Sequence, residues 1–300
     1  MIMSPARMMP PVSPSPGRFE GCPAPAKLNL FLHVTGRRAD GYHLLQTVFR
    51  LLDWGDTLDF TLRKDGKIHR TNAVAGVPEE TDLCIRAARA LQQAAGCPFG
   101  ADITVHKRLP LGGGLGGGSS DAATTLMALD RLWNTRLGPI RLHEIGMSLG
   151  ADVPFFLFGR DAFAESLGEI LQPITLPPTC YVVLAPGINV PTARIFASPD
   201  LTRNTPPINI DSFTLDCSHN DLQPVACELF PEIREALSWL GQFAPARMTG
   251  AGACVFAPAD SPEHAAKIVG QCPARWQAWQ VASLARHPML GLRFGDVNGF

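Results

Sequence analysis

Hydrophobic positions along the chain change their period several times, and each change marks an element. Leu28, Leu30 and Leu32 alternate with Asn29, Phe31 and His33, the period-two pattern of a strand, so ordered chain is expected from about Pro23. Gly36 and the stretch Arg37-Arg38-Ala39-Asp40-Gly41 punctuate that strand, and an apolar segment resumes from Leu44 to Leu52. Asp53-Trp54-Gly55-Asp56 reads as a turn, after which Leu58, Phe60 and Leu62 alternate again. From Thr81 to Ala95 the spacing becomes helical, with Leu83, Ala87, Ala90, Leu91 and Ala94 in register, Thr81 or Asp82 as N-cap and Gly96 as stop.

Ala101, Ile103 and Val105 predict a strand that runs into Lys107-Arg108-Leu109-Pro110, where glycines take over. Beyond them Ala122, Leu126, Leu129, Leu132 and Trp133 trace an amphipathic helix that Ser119 and Ser120 are placed to cap. Arg141 to Leu149 predicts a further helix ended by Gly150, and Val153 to Phe158 is short and aromatic enough to read as a buried strand or its edge. Prolines at 173, 177, 178, 186 and 191 break the pattern and place a lobe boundary between about 160 and 180. The division expected is a disordered tail over 1–22, one lobe over 23–170 and a second over 171–300. A helix over Pro231 to Leu240 and a glycine turn into a strand over Arg247 to Phe256 complete a mixed α and β chain without internal repeats.

Composition narrows the classes of function. The 300 residues are 46% hydrophobic with a formal net charge of -1, so nothing in the charge favours nucleic acid or an anionic membrane over a small molecule. No stretch reaches the roughly 18 apolar residues of a membrane span. The eight cysteines are dispersed without a C-x-x-C pair and the eight histidines are scattered, which points to a reducing, cytoplasmic setting and to no protein-held metal cluster. Met1 to Cys22 carries Arg7, Arg18 and five prolines but no apolar signal core, and the prolines oppose the amphipathic helix of a transit peptide. Its several methionines leave the translation start open. A monomer or weak homodimer is expected.

The sharpest chemical signal is Pro110-Leu-Gly-Gly-Gly-Leu-Gly-Gly-Gly-Ser-Ser120, six glycines within seven residues directly before a helix. Without Cβ atoms such a loop turns successive N–H groups inward, and the helix adds its own unpaired N–H groups, which together make an anion cradle. A flexible linker is the plainer reading, but a linker does not carry apolar Leu111 and Leu115 between a strand and a well-formed helix. No Gly-Lys-Ser/Thr follows, so this is not a Walker loop, and the dinucleotide spacing Gly112-x-Gly114-x-x-Gly117 arises only because nearly every position is glycine.

At this loop the chain resembles the GHMP kinases, whose second motif is a loop of this kind over the phosphates of ATP. Pro25-Ala26-Lys27-Leu28-Asn29-Leu30 is similar to their first motif and Met248-Thr249-Gly250-Ala251-Gly252-Ala253-Cys254 to their third. Thr35-Gly36-Arg37-Arg38-Ala39-Asp40-Gly41-Tyr42-His43 and Gly150-Ala151-Asp152-Val153-Pro154-Phe155 are similar to one branch, whose substrate carries a cytidine diphosphate group. The resemblance implies an α+β protein with a ribosomal-S5-like N-terminal lobe and a ferredoxin-like C-terminal lobe, using ATP and Mg2+. It implies Lys27 and Asp152 as the active-site pair. The nucleotide would meet Lys107, Pro110, Leu111, Gly112, Gly113, Gly114, Leu115, Gly116, Gly117, Gly118, Ser119 and Ser120. The substrate would meet Asn29, Tyr42, His43, Thr192, Phe196, Thr249 and Gly250, with Tyr42 and Phe196 sandwiching the base and His43 reading it. Pro191-Thr192-Ala193 departs from the usual second proline after the threonine.

Composition alone reads Lys27 as a surface strand charge, Asp152 as a turn residue and the three aromatic positions as core. A loop without a Walker lysine, however, needs a cation from elsewhere, and phosphoryl transfer is mostly positioning and electrostatics. Asp121 inside the helix would repel phosphate unless a cation intervenes, which suits a magnesium nucleotide without identifying a metal ligand. A different kinase of the group, of mevalonate, homoserine or sugar type, a non-catalytic nucleotide sensor and a dinucleotide oxidoreductase are the alternatives.

Overall fold

The computed structural model describes residues 12–214 and 219–291. Strands β1 (Ser13–Ser15), β2 (Arg18–Arg37), β3 (His43–Arg63) and β4 (Ile68–Arg70) open the chain, followed by α1 (Leu83–Ala95) and β5 (Gly100–His106). Three helices come next, α2 (Gly117–Leu132), α3 (Gly138–Leu149) and α4 (Val153–Phe158), then β6 (Ala162–Ser166) and β7 (Ile170–Pro173). These strands form one sheet in the order β1-β2-β3-β5-β4, with β6 pairing β3 and β7. The second half contains β8 (Cys180–Ala185), α5 (Thr192–Ala197), α6 (Leu222–Leu229), α7 (Pro231–Leu240), β9 (Arg247–Met248), β10 (Val255–Ala259), α8 (Pro262–Gly270) and β11 (Gln277–Ala282). Its four strands make an antiparallel sheet in the order β11-β8-β10-β9. The chain crosses from one sheet to the other between Pro173 and Cys180.

Several expectations are corrected. Order begins before Pro23: β1 folds back on β2 with Ser13 opposite Glu20, and Phe19 and Cys22 are buried in the core. The proline in β1 is tolerated because this is an exposed edge strand that gives up no ladder bond to a second neighbour. Residues 1–11 of the expected tail lie outside the described residues. Asp53 to Asp56 is not a turn but the middle of β3. There Gly55 faces Pro25, and a Cβ at Gly55 would sit 2.1 Å from the Ala24 carbonyl oxygen, so glycine serves close approach of two backbones rather than chain reversal. Val153 to Phe158 is helical, not extended. Pro154 falls in its first turn, Gly159 ends it in the left-handed region (φ 67°), and it packs beside α2 and α3, with the Phe155 ring on Phe49 of β3. α2 starts at Gly117 with Gly116 as N-cap, so Ser119 and Ser120 lie inside the first turn and do not cap it.

The alternation read for Leu28, Leu30 and Leu32 also breaks. Register shifts in the β2/β3 ladder, one of them between Asn29 and Leu32, turn the strand, as bulges do. As a result β2 feeds three cores: Phe19, Cys22 and Ala24 face the helices, Ala26, Leu28, Leu30 and Phe31 lie between the two sheets, and Leu32 and Val34 join the core of the second sheet. Elsewhere the halves are stitched by backbone, with Leu284 N–H donating to Leu51 (2.9 Å) and Asp221 N–H to Leu32 (2.8 Å). The buried Arg50–Asp161 pair (3.1 Å) adds a bond from Arg50 to the Pro177 carbonyl in the connection. α1 is as expected, with the Asp82 carboxylate accepting from Cys84 N–H (2.7 Å) and Gly96 in the left-handed region.

Gly55→Ala is expected to destabilise the chain by about 3 kcal/mol or more, since the new methyl meets backbone that cannot step aside. Urea unfolding of both proteins at 25 °C checks this; a loss below about 1 kcal/mol would mean the two strands part without cost.

Candidate active site

Three segments distant in sequence meet at the glycine loop. Lys27 N–H donates to the Leu115 carbonyl (3.0 Å), Cys254 N–H to the Gly113 carbonyl (3.2 Å) and the Thr249 hydroxyl to the Gly114 carbonyl (3.3 Å). Asn29 N–H closes the circuit on Thr249 Oγ1 (3.0 Å). Glycine is required here by contact as well as by dihedral angle. Gly114 has φ 74° and a Cβ would lie 2.2 Å from the Thr249 carbonyl oxygen; Gly116, also at φ 74°, sits under the Phe156 ring and the Lys27 side chain. No side chain caps α2, so the N–H groups of its first turn are free of side-chain acceptors. Leu115 is buried between the sheets and anchors the loop, while Leu111 is half exposed.

Lys27 is 3% exposed. Its ammonium donates to Asn29 Oδ1 (2.5 Å), lies 3.5 Å from Asp152 Oδ2 and sits 5.5 Å from the centre of the Phe49 ring. Asn29 in turn donates to Thr47 Oγ1 (3.0 Å), whose hydroxyl donates to the Phe31 carbonyl. Asn29 is buried and both ends of its amide are engaged, so it aims the lysine. Asp152 stands at the N-cap of α4 without capping it, and its side chain is 31% exposed. An ammonium fixed from behind and a carboxylate half open to the site form a pair suited to bind and deprotonate a hydroxyl.

Lys107, expected at the nucleotide, is held by two buried carboxylates. Its ammonium donates to Asp56 and to Asp121 (2.8 Å) against the start of α2, beside Gly117. Asp56 also accepts from Arg108 N–H and Leu109 N–H (2.8 Å), fixing the entry to the loop. Burial, and then the charge of Asp56, push the Asp121 carboxyl up, with Lys107 opposing both. Asp121 Oδ1 and the Ser120 hydroxyl are buried without a hydrogen-bond partner.

The expected base pocket is partly assembled. The His43 and Phe196 rings are 4.9 Å apart at 32°, but Tyr42 is 64% exposed and meets no other ring among the described residues. Thr192 is exposed at the start of α5, and Gly250 (φ 57°) lies against Gly114. Two residues here escaped the sequence reading. Asn220 donates to the carbonyls of Met248 (2.9 Å) and Gly250 (2.8 Å), fixing the third segment, and Arg203 donates to His43 Nε2 (3.1 Å). Neither lies in a motif, and only spatial proximity reveals them.

A cradle without side chains, set against an ammonium and a carboxylate and sewn to both sheets, suits transfer of a phosphoryl group between small molecules. Family comparison agrees: the GHMP kinases N terminal domain matches residues 82–160 and the GHMP kinases C terminal domain residues 209–278. The 4-diphosphocytidyl-2-C-methyl-D-erythritol kinase of Azoarcus sp. is 64% identical over 276 residues, which cover 92% of this chain and 98% of the relative. That of Ralstonia pickettii is 56% identical, with coverage of 93% and 98%. A crystal structure of 4-(cytidine 5'-diphospho)-2C-methyl-D-erythritol kinase aligns with TM-score 0.75 at 35% identity, over 87% of this chain and 98% of the other. Homoserine kinase from Cytophaga hutchinsonii shares the fold at 16% identity, with TM-score 0.67 over 90% of this chain and 94% of its own. The chain belongs to the GHMP kinases and, within them, to the 4-diphosphocytidyl-2-C-methyl-D-erythritol kinase family.

The buried Asp56–Lys107–Asp121 group generates a stability test. A carboxyl raised in the folded state keeps a proton that the unfolded chain has already released, so its contribution weakens as pH rises through the folded value. Lys107→Met removes the cation between two buried carboxylates and is expected to cost about 3–5 kcal/mol, with a smaller loss at pH 5, where Asp121 takes up a proton, than at pH 8. Urea unfolding at both pH values measures it, and equal losses would refute the charge argument.

Proposed function

We infer that this chain transfers the γ-phosphoryl group of ATP to the 2-hydroxyl of 4-diphosphocytidyl-2-C-methyl-D-erythritol, a step in isoprenoid precursor synthesis. The observation that carries the mechanism is the Lys27–Asp152 pair, 3.5 Å apart beside the glycine loop. The nucleotide phosphates lie against the N–H groups of the loop and of the first turn of α2, which supply positive ends without an acceptor to repel them. Lys27, turned by Asn29, orients the acceptor hydroxyl and offsets the charge developing on its oxygen. As that oxygen bonds to the γ-phosphorus and the bond to the ADP oxygen breaks, its proton passes late to the open carboxylate of Asp152.

Among the described residues no cluster of histidine, cysteine, aspartate or glutamate could hold a metal by itself. Asp56 and the Oδ2 of Asp121 are committed to Lys107, so the side-chain oxygens near the loop that could meet a nucleotide-borne ion are the unpartnered Ser120 hydroxyl and Asp121 Oδ1, and Asp152. Magnesium bound with ATP would neutralise phosphate charge. Tyr42, His43 and Phe196 receive the cytosine, and Thr192, Thr249 and Gly250 line the path between base and transferred phosphate. Among the described residues no helix is long and apolar enough to cross a membrane. The cytoplasm is the proposed setting.

ADP release from magnesium-ATP is expected with the cytidine substrate and not with mevalonate, homoserine or galactose. Asp152→Asn is expected to lower kcat by about 10²–10⁴-fold with little change in KM, as loss of a general base does. An unchanged kcat would remove Asp152 from the proton transfer, and turnover of another alcohol would overturn the substrate.

A further inference from the structure

The hydrogen bonds behind Lys27 run in one direction, fixed by which groups can donate. An ammonium only donates, so Asn29 must turn Oδ1 to Lys27 (2.5 Å) and its Nδ2 away. Nδ2 meets the hydroxyl of Thr47 (3.0 Å), a residue as buried as Lys27 itself. A hydroxyl carries one proton, and at Thr47 it goes to the Phe31 carbonyl, which leaves the lone pairs of Oγ1 to accept from Asn29.

The β2/β3 ladder puts Thr47 in that place. Asn29 pairs with Phe49 and Leu32 with Thr47, so Leu30 and Phe31 stand against Val48 alone, two residues against one. A bulge of this kind leaves backbone groups out of the ladder and re-aims side chains, and here the Phe31 carbonyl is taken up by the Thr47 side chain. On its other side Thr47 pairs with Ala164 of β6, so two ladders set its position. The backbone N–H of Asn29 is separately engaged by Thr249 Oγ1 (3.0 Å), and loss of the Thr47 hydroxyl leaves that link to the glycine loop in place. We propose that Thr47 is a positioning residue for the phosphoryl transfer: its hydroxyl, with its proton spent on Phe31, holds the Asn29 amide so that Oδ1 and not Nδ2 faces the Lys27 ammonium. The inference rests on the reading of Lys27 and Asp152 as the reacting pair.

Thr47→Val keeps the branched shape of the side chain and removes the acceptor. The Asn29 amide then has nothing to hold its donor end, and kcat is expected to fall about tenfold or more with KM for ATP little changed. Thr47→Ser restores the hydroxyl and is expected to stay within about threefold of wild-type kcat. A double-mutant cycle with Asn29→Ala separates positioning from a general loosening of the strand. Acting through Asn29, Thr47→Val lowers kcat by no more than about twofold once Asn29 is gone, whereas loosening multiplies the two defects. Should Thr47→Val fail to fold, Thr47→Ala, which drops the hydroxyl without adding a second methyl, takes its place in each comparison. A kcat within about twofold of wild type in folded Thr47→Val, a Thr47→Ser enzyme as slow as Thr47→Val, or independent effects in the cycle would each overturn the proposal. Wild-type kcat in Lys27→Met would remove the reacting pair from the chemistry, and this inference with it.

Discussion

A run of six glycines has no shape of its own; here it is given one by hydrogen bonds from both sheets. Ordering such a segment costs more backbone entropy than ordering any other of its length. The compensation comes from β2 through Lys27 N–H, from the β9/β10 turn through Cys254 N–H and Thr249 Oγ1, and from Leu115 buried between the sheets. Because the donors belong to different halves of the chain, the cradle exists only when the halves are docked. The proposed phosphate cradle is thus tied to the inter-sheet core, and β2, which feeds all three cores, is the element through which that tie runs.

The same strand explains how a lysine can be buried beside the reaction. A cation this enclosed needs hydrogen-bond partners, and Asn29, two residues on along β2, supplies one from within while Asp152 supplies charge from the open side. Lys107 solves a different problem with the same chemistry. It sits between Asp56 and Asp121 and fixes the strand end and the helix start that bracket the loop. On the proposed mechanism one buried lysine acts on substrate and the other on the frame, and the distinction lies in exposure of the carboxylates: Asp152 is partly open, Asp56 and Asp121 are not.

Much of this was legible in the sequence where local signals are strong. The α1 caps, the glycine loop and the helix behind it rest on short-range patterns, whereas residue types alone read Lys27 as a strand charge and Asp152 as a turn residue, and only the resemblance to the family motifs pairs them. What misled was also local. Gly55 looks like a turn because its use, closing two backbones across a register shift, depends on a partner thirty residues away. The aromatic run Val153 to Phe158 looks like a strand because burial on all sides, here under α2 and α3, erases helical periodicity. Asn220 and Arg203 were invisible because each hydrogen-bonds a group far off in the chain, Met248 and Gly250 for the first and His43 for the second, a role that no residue spacing encodes.

The two halves of the site are built to different standards, and the chemistry gives the reason. Phosphoryl transfer depends on position, and Lys27, Asn29 and Thr249 are buried on or beside paired strands, while the partly exposed loop is anchored by buried Gly113 and Leu115. The residues proposed for base recognition lie at the end of the β2/β3 hairpin and on the six-residue helix α5, where Tyr42 is open to solvent and Phe196 and His43 are half exposed. Binding energy gathered there acts at a distance, by delivering the acceptor hydroxyl to a pair already in place. Such a division needs a few fixed points in the looser half. Arg203, with each of its nitrogens hydrogen-bonded, is one such point.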